Sequence, residues 1–524
     1  MTKTPRFDDY QRLLGRFYEP LLLLLALGKT RGEHSPSPPD ESSRQSIRRR
    51  FFNNIAYLCD FTKGGDSTSA IGIEERDDCY NFWVASNQPS SKIRDFVDDI
   101  LNDVRKLGYE QSLRRGDEQR FTYYCIDFAR QRISKEAKML SNAFKGCIKY
   151  LEEQGQPEDV QLVSWIRSFD FQDNRALCER AYEQRKAPEM KQLAARSKTE
   201  QGESVLSDRA ASFEDARHLL GRLAHHIRAP KQILEDGPRL EELLSQRYFV
   251  CQLPLCKSIA PPQADGLTTL ESMLVRMLPA KDPNLHKYKE ALLNLDHRVK
   301  LHDRVIGQYK SKSFQPKVHA EIQVLEYFYE NNLNFIDDDR YINCSKPACY
   351  CCHLYIRHHP LGIVEPASHK NIYPNWGPPL LPEGAQDPDY PHQLHILNKM
   401  LETIRKEALT QISHQSIGPR GHRDTTTGIT PTTLAGSDRQ IQQVDSIKGK
   451  FGYLNISAMK VMTGKAAGKG DKDSGYSDTE KSDTGSSTSS GEQSSQLLSE
   501  IEDDSDSDTI NGDGDSDRTG GATL

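Results

Sequence analysis

Apolar side chains recur at three- and four-residue steps over most of the first 310 residues, which is the period of an amphipathic helix. Residues 7–28 carry Leu13, Leu14, Phe17 and an apolar run that starts at Leu21. From about residue 52 to 310 the same spacing returns, most strictly in a set of seven: Ile93, Phe96, Val97, Ile100, Leu101, Val104 and Leu107. The pattern predicts an N-terminal helix and then a long, predominantly helical region.

After Lys317 the periodicity changes. The spacing of Ile322, Leu325 and Phe328 predicts a helix that begins at or just before His319. Four further elements are predicted: a strand at Arg340–Asn343, a helix from Cys349 to Arg357, a strand at Leu361–Val364, and a helix from about Gln393 to Ile412. Helices and strands in close alternation predict an α/β layer with neighbouring strands.

The segments between these elements have loop-like compositions. Residues 32–50 contain several prolines and end in Arg48-Arg49-Arg50, which favours a solvated linker over an address signal or a phosphate contact. Residues 414–470 are expected to be loop-rich. The patch Phe451–Ile456 could add an edge strand to the sheet. Residues 471–524 hold fifteen Asp and Glu against three Lys and Arg, a net charge of −12, and are predicted to be a disordered acidic tail. Because the whole chain carries −6, the first 470 residues carry +6, which is only weak support for a nucleic-acid partner.

The eleven cysteines are too sparse for a disulfide scaffold. The apolar run Leu21–Leu27 is far shorter than the ~20 residues of a membrane-spanning helix. We therefore expect a reduced intracellular protein, cytoplasmic or nuclear, with no membrane partner. Four of the cysteines lie between residues 344 and 352, and this clustering points to a metal.

The candidate chemistry lies in His319-Ala320-Glu321 and in Cys349-x-x-Cys352. One His and two Cys in this order, with a nearby Glu that does not bind the metal, form the signature of zinc-dependent base deaminases. Three protein ligands leave a fourth position for water, whose pKa zinc lowers to roughly 7. Cys351 and His353 adjoin Cys352 and are alternative ligands. Cys349 and Cys352 share a helix face at i and i+3, so Cys351 is expected to be a packing residue or to be turned away. Glu321 is expected to move protons between that water, the ring nitrogen and the leaving ammonia.

Other residues allow two interpretations. Trp376 could stack on a base or be a core anchor, and Lys346 could contact phosphate or be an ordinary exposed lysine, as could Lys310, Lys312 and Lys317. Cys251, Cys256 and the pair His225-His226 could form a second zinc site, although buried structural thiols are favoured.

Residues from roughly 315 to 380 resemble the cytidine-deaminase-like superfamily. In particular they are similar to a predicted nucleic-acid or nucleotide deaminase family of filamentous fungi, marked by a His-Ala-Glu helix and a Cys-Ser-Lys-x-x-Cys-x-x-Cys segment, here Cys344–Cys352. The aromatic segment Tyr373–Pro379 is also similar to that family. The resemblance implies a three-layer α/β/α sheet that carries His319, Cys349 and Cys352 as zinc ligands and Glu321 as proton shuttle. In the common pattern proline directly precedes the first cysteine of the pair, whereas here Ala348 does, a departure that bears on the shape of the pocket.

The predicted order is an N-terminal helix and linker (1–50), a helical region (51–295), a deaminase-like zinc domain (296–413), a loop-rich region (414–470) and the acidic tail (471–524). The predicted function is zinc-dependent hydrolytic deamination of a nucleobase in a nucleoside, nucleotide or single-stranded nucleic acid. The alternative is a non-catalytic, zinc-stabilised scaffold that binds a protein partner through the helical region. A helical adaptor without metal is a third possibility.

Overall fold

The computed structural model describes residues 8–35, 43–88, 90–109, 115–197 and 208–418, all within one compact unit. The predicted strand at Phe451–Ile456 and the acidic tail lie outside these residues. The described helices are α1 (Asp9–Leu27), α2 (Arg44–Cys59), α3 (Ser91–Tyr109), α4 (Arg115–Phe128), α5 (Arg130–Gln154), α6 (Asp159–Arg167), α7 (Asn174–Gln184), α8 (Pro188–Arg196), α9 (Asp208–Asp236), α10 (Glu241–Ser245), α11 (Leu270–Met277), α12 (Leu285–Val299), α13 (Leu301–Lys310), α14 (Ala320–Glu330), α15 (Tyr350–His358) and α16 (Tyr390–Ser413). The strands are β1 (Ser69–Glu75), β2 (Tyr80–Ser86), β3 (Tyr248–Gln252) and β4 (Asn343–Cys344). The fold is thus mostly helical with a small mixed sheet.

The predicted helices at the N-terminus and after Lys317 are confirmed. Helix α1 is capped by Asp8, whose carboxylate accepts a hydrogen bond from the backbone N–H of Gln11 at 2.7 Å. The apolar run from Leu21 to Leu24 is fully buried in the largest hydrophobic cluster, which also contains residues of α14, α15 and α16. None of the described helices has the length and apolar content needed to cross a membrane.

Helix α2 begins at Arg44, inside the segment predicted to be a linker, and the three arginines lie on it. The prediction that they sit on a solvated loop is wrong, because each pairs with a carboxylate from a distant part of the chain. Arg48 and Arg49 form ion pairs with Asp339, and Arg50 pairs with Asp236. The charges therefore hold α2 against the connection after α14 and against the end of α9.

The sheet has the order β3-β2-β1-β4. Strand β1 is antiparallel to both β2 and β4, whereas β2 and β3 are parallel. Strands β1 and β2 lie in the region predicted to be predominantly helical. Both are buried along nearly their whole length, so their sequences lack the alternation of apolar and polar residues that marks a half-exposed strand.

The two predicted strands beyond Lys317 need correction. The strand predicted at Arg340–Asn343 is displaced towards the C-terminus, because pairing with Ala70 and Ile71 of β1 involves Asn343 and Cys344. No strand forms at Leu361–Val364. There the chain turns at Gly362, which has a φ of 65°, and the backbone N–H of Val364 donates to the carbonyl of Arg340 at 2.9 Å.

Opposite faces of β1 contact different helices. Gly72 faces α14 so closely that an added Cβ would lie 2.6 Å from side-chain atoms of both Val324 and Phe328. On the other face, Ile71 and Ile73 join a hydrophobic cluster with residues of α2 and α3 that include Phe52 and Phe96. Only glycine at position 72 lets the helix that begins at His319 lie directly on the sheet.

Helices α4 to α9 pack around a hydrophobic cluster of their own, formed by residues between Ile126 and Ile227. On α5, Glu136 is fully buried and pairs with Arg132 and Arg222. His225 and His226, on α9, pack their rings against Tyr57 of α2. This bundle is inserted in the chain between α3 and β3.

Candidate metal centre

His319, Cys349 and Cys352 come together at the starts of two helices. His319 is the N-cap residue of α14, Cys349 is the N-cap residue of α15, and Cys352 lies in the first turn of α15. Nδ1 of His319 lies 3.6 Å from Sγ of Cys349 and 3.3 Å from Sγ of Cys352. The three ligand atoms all lie within 4.8 Å of one another. Two thiols and an imidazole at these separations fit a zinc ion.

The surroundings of the two thiols shift their pKa values in opposite directions. Burial opposes ionisation of Cys349, but hydrogen bonding with Cys352 and the adjacent imidazole of His319 outweigh it, so the pKa of the Cys349 thiol is well below its usual value. Sγ of Cys349 also accepts the backbone N–H of Cys352 at 3.4 Å. Burial and the neighbouring Cys349 raise the pKa of the Cys352 thiol well above its usual value.

The start of α14 is held by the end of β2. The backbone N–H of Ala320 donates to Oδ1 of Asn87 at 2.8 Å, and Nε2 of Gln323 donates to the carbonyl of Ser86 at 3.1 Å. His319 makes no side-chain cap to its own helix. Its imidazole is thereby available to the two cysteines, and Asn87 supplies the capping oxygen in its place.

Glu321 is buried in the first turn of α14, beside the metal-binding group. Burial raises the pKa of its carboxyl, and the neighbouring His319 offsets part of that rise. A buried carboxyl that holds its proton more tightly than an exposed one is suited to proton transfer near neutral pH.

Cys351 and His353, the residues on either side of Cys352, make other contacts. Cys351 is fully buried in the hydrophobic cluster, and burial raises the pKa of its thiol well above the usual value. The Nε2 atom of His353 lies 2.9 Å from a guanidinium nitrogen of Arg357. Neither residue belongs to the group that could hold a metal.

The two residues predicted as alternatives for substrate binding, Trp376 and Lys346, are both surrounded by protein. Trp376 is fully buried, with its ring 5.6 Å from that of Phe17 and 5.8 Å from that of Tyr355, and its carbonyl accepts the hydroxyl of Tyr18. Nζ of Lys346 lies 3.4 Å from a buried carboxylate oxygen of Asp60. The geometry favours a core role for Trp376 and an internal ion pair for Lys346.

Two further predictions concern Lys317 and the pair Cys251 and Cys256. Lys317 pairs with Asp66 at 2.7 Å, and no cation-binding group of the described residues includes Cys251 or Cys256. Tyr373, from the aromatic segment, lies beside the metal-binding group, with its ring 6.4 Å from that of His319.

Asn87 is the residue near the site that sequence reasoning missed. It lies more than 230 residues before His319, and an isolated asparagine after a strand is more often a turn residue. The available signal was the end of the apolar run Phe82-Trp83-Val84, which marks the edge of β2.

Residues 318–380 match a family model described as "OTT_1508_deam:-like deaminase". The match covers 63 of the 524 residues. No curated protein and no solved structure matches the chain. The chain therefore carries, at residues 318–380, a deaminase-like domain of the cytidine-deaminase-like clan, together with a His/Cys/Cys group typical of a zinc site.

Proposed function

We propose that the protein is a zinc-dependent hydrolytic deaminase that acts on a nucleobase in a nucleoside, nucleotide or single-stranded nucleic acid. One observation carries the proposal: the buried carboxyl of Glu321 lies beside the cluster of His319, Cys349 and Cys352, within a segment that matches a deaminase family. A purely structural zinc site has no need of such a carboxyl.

His319, Cys349 and Cys352 would hold the zinc ion. When bound, zinc lowers the pKa of a water molecule and so supplies a nucleophile at neutral pH. Glu321 accepts a proton from the attacking water and delivers it to the ring nitrogen. Glu321 then moves the remaining hydroxyl proton to the amino group, which leaves as ammonia, and the ring carbon that carried it becomes a carbonyl. Burial of Glu321 keeps this proton within the site.

The proposal includes the fold of the site. With α14 on one face of β1 and β2 and with α2 and α3 on the other, we assign the sheet to a deaminase-type α/β/α arrangement. The close contact between Gly72 and α14 supports the assignment, because it fixes the helix that carries both His319 and Glu321. The predicted zinc domain, residues 296–413, would then use strands from the first quarter of the chain.

An intracellular location, cytoplasmic or nuclear, belongs to the same proposal. All eleven cysteines are free thiols, including the two metal ligands. A reducing compartment keeps such thiols available for a metal.

The alternative is a non-catalytic scaffold, in which zinc stabilises the fold and the helical region binds a protein partner. The separate core of helices α4 to α9 favours a distinct role for this region. The retained Glu321 argues against the loss of catalysis.

The test combines metal analysis with a deamination screen over nucleosides, nucleotides and single-stranded RNA and DNA. Wild-type protein should contain zinc and release ammonia from one substrate class. Glu321→Gln should keep the zinc of this site and lower turnover by about 10²–10⁴-fold. Glu330→Gln, an exposed change on the same helix, is the matched control and should leave both unchanged. If wild type and Glu321→Gln behave alike on every substrate, the enzymatic proposal fails and the scaffold is favoured.

A further inference from the structure

A second group of metal-ligating side chains lies at the other end of α14 and α15. Glu326 lies two turns beyond His319 on α14, His359 directly follows α15, and His392 is in the first turn of α16. Nε2 of His359 lies 3.4 Å from one carboxylate oxygen of Glu326, and Nε2 of His392 lies 3.3 Å from the other. One ligand atom from each of the three side chains lies within 4.8 Å of the other two.

The group is enclosed. The side chains of Glu326, His359 and His392 are 9%, 0% and 16% exposed. The ring of Tyr329 covers the two imidazoles, at 5.0 Å from His359 and 4.6 Å from His392. The hydroxyl of Tyr355 donates to Glu326 at 2.6 Å, which orients the carboxylate. Among the described residues, the ion-pair partners of Glu326 are these two imidazoles and no Lys or Arg.

The two imidazole nitrogens are also unsatisfied. Although each lies close to the carboxylate, neither Nε2 forms a hydrogen bond of ordinary geometry, and both are buried without a hydrogen-bond partner. Buried polar atoms are nearly always hydrogen-bonded, so two such atoms that face the same carboxylate call for a missing partner, such as an ion.

The distances fit a tetrahedral metal. With bonds of about 2.0–2.1 Å to nitrogen and oxygen, two ligand atoms on a tetrahedral zinc ion are about 3.3–3.4 Å apart. Each imidazole lies at this separation from one oxygen of Glu326, His359 from one oxygen and His392 from the other. Two imidazoles and a carboxylate are also a ligand set that zinc accepts in proteins.

We propose that Glu326, His359 and His392 hold a second divalent metal ion, zinc in the first instance. The site lies apart from the cluster of His319, Cys349 and Cys352 and does not depend on the proposed deaminase activity. Its role is structural: α14 and α15 are joined at one end by the first group, and the second ion joins their other end to the start of α16. The second metal thereby fixes the orientation of the two helices that carry the first.

A proton is the competing occupant. Nδ1 of His359 accepts the backbone N–H of Leu361 at 3.2 Å, so in the metal-free, neutral ring Nε2 carries the proton. Metal binding displaces that proton from Nε2. If protons alone hold the two imidazoles against Glu326, the group binds no metal and the proposal is wrong.

The experiment counts metal and identifies its ligands in the full-length protein. Wild type purified without chelator should bind two equivalents of zinc. Cys349→Ser/Cys352→Ser should keep one equivalent, held by nitrogen and oxygen ligands only in X-ray absorption. His359→Gln/His392→Gln should also keep one, with two sulfur ligands. His395→Gln, an exposed change on α16, is the matched control and should keep two.

Cobalt gives a second readout if the double histidine variant does not fold. Cobalt(II) added to Cys349→Ser/Cys352→Ser should show weak visible bands without a sulfur-to-metal charge-transfer band, and Glu326→Gln added to that variant should abolish them. Binding of no metal by Cys349→Ser/Cys352→Ser would overturn the second site and leave the proposed function intact. If wild type instead bound zinc through nitrogen and oxygen ligands only, with no sulfur-bound equivalent, the proposed function would be contradicted and the second site would stand.

Discussion

The side-chain oxygen of Asn87 accepts a hydrogen bond from the backbone N–H of Ala320 at 2.8 Å. Ala320 lies between the proposed metal ligand His319 and the proposed proton carrier Glu321. Asn87 directly follows β2, so a residue at the edge of the sheet caps the helix that carries both groups. The first turn of a helix has backbone N–H groups without partners inside the helix, and an oxygen from elsewhere in the fold satisfies one of them here.

Loss of this cap should weaken the site. We expect Asn87→Ala to lower the free energy of unfolding by about 1 kcal/mol and to reduce zinc affinity, because the start of α14 loses its fixed position. Asn87→Asp keeps the accepting oxygen and should recover most of the stability. Chemical denaturation and competition with a zinc chelator measure both. Asn331, at the exposed end of α14, provides the control. An equal loss of stability and zinc affinity in Asn331→Ala would contradict the specific role of Asn87.

The two adjacent cysteines should differ in metal binding. Cys352 lies 3.3 Å from the imidazole of His319, whereas Cys351 is packed in the hydrophobic cluster. We therefore expect Cys352→Ser to lose the thiolate-bound metal, and Cys351→Ala to retain it with a modest loss of stability. Metal analysis and the cobalt charge-transfer band distinguish the two variants. Retention of that band by Cys352→Ser would remove Cys352 from the ligand set.

Replacement of Trp376 separates a core role from base stacking. The ring is fully buried against Phe17 and Tyr355, so Trp376→Ala should destabilise the protein by about 3–5 kcal/mol through the cavity that it leaves. Trp376→Phe fills more of the cavity and should cost less. Once a substrate is known, its KM should be unchanged in Trp376→Phe. A large rise in KM at unchanged stability would favour stacking.

The ion pairs between α2 and the connection after α14 should contribute to stability. Asp339 is buried and pairs with both Arg48 and Arg49, so Asp339→Asn removes a carboxylate from both guanidinium groups and leaves Arg48 with the exposed Asp337. We expect a loss of about 3–5 kcal/mol in the free energy of unfolding. The exposed pair of Arg12 and Asp9 provides the comparison, and Asp9→Asn should cost less than about 1 kcal/mol. A similar loss of unfolding free energy in the two variants would contradict the prediction that the buried ion pairs contribute more than the exposed one.

The Glu326 carboxyl predicts a dependence of stability on pH. Burial opposes its ionisation, but the adjacent imidazoles of His359 and His392 and the hydroxyl of Tyr355 outweigh burial and lower its pKa to about 2. A carboxyl with a lowered pKa stabilises the fold above its unfolded-state pKa of roughly 4.3, and that contribution is lost as pH falls towards the folded-state value.

In the presence of chelator, the stability difference between wild type and Glu326→Gln should therefore be largest near neutral pH. It should shrink steadily below about pH 4. Urea denaturation from pH 7 to pH 3 measures it. A difference that stays constant over this range would show that the carboxyl is not ionised in the folded protein.

Several elements could be predicted because their signals are local. Helix α14 was predicted from the spacing of Ile322, Leu325 and Phe328, and its observed start at Ala320 agrees with the predicted start at or just before His319. Strands β1 and β2 were missed because burial on both faces removes the alternating pattern. The runs Ile71-Gly72-Ile73 and Phe82-Trp83-Val84, on either side of Asp77-Asp78, were the remaining sign of a hairpin.

The sequence by itself determined the chemical character of the first candidate metal site. The identities and spacing of His319, Glu321, Cys349 and Cys352 follow from two short segments, and a helix places residues three apart on one face whatever surrounds it. Tertiary structure decided the partners. Asn87 caps α14, and Lys346 forms an ion pair with Asp60. Trp376 packs in the core, and Glu326 lies against His359 and His392. Each of these contacts joins residues that are more than thirty positions apart or lie on separate elements. Such contacts depend on how helices pack on the sheet, and local spacing carries no information about that packing.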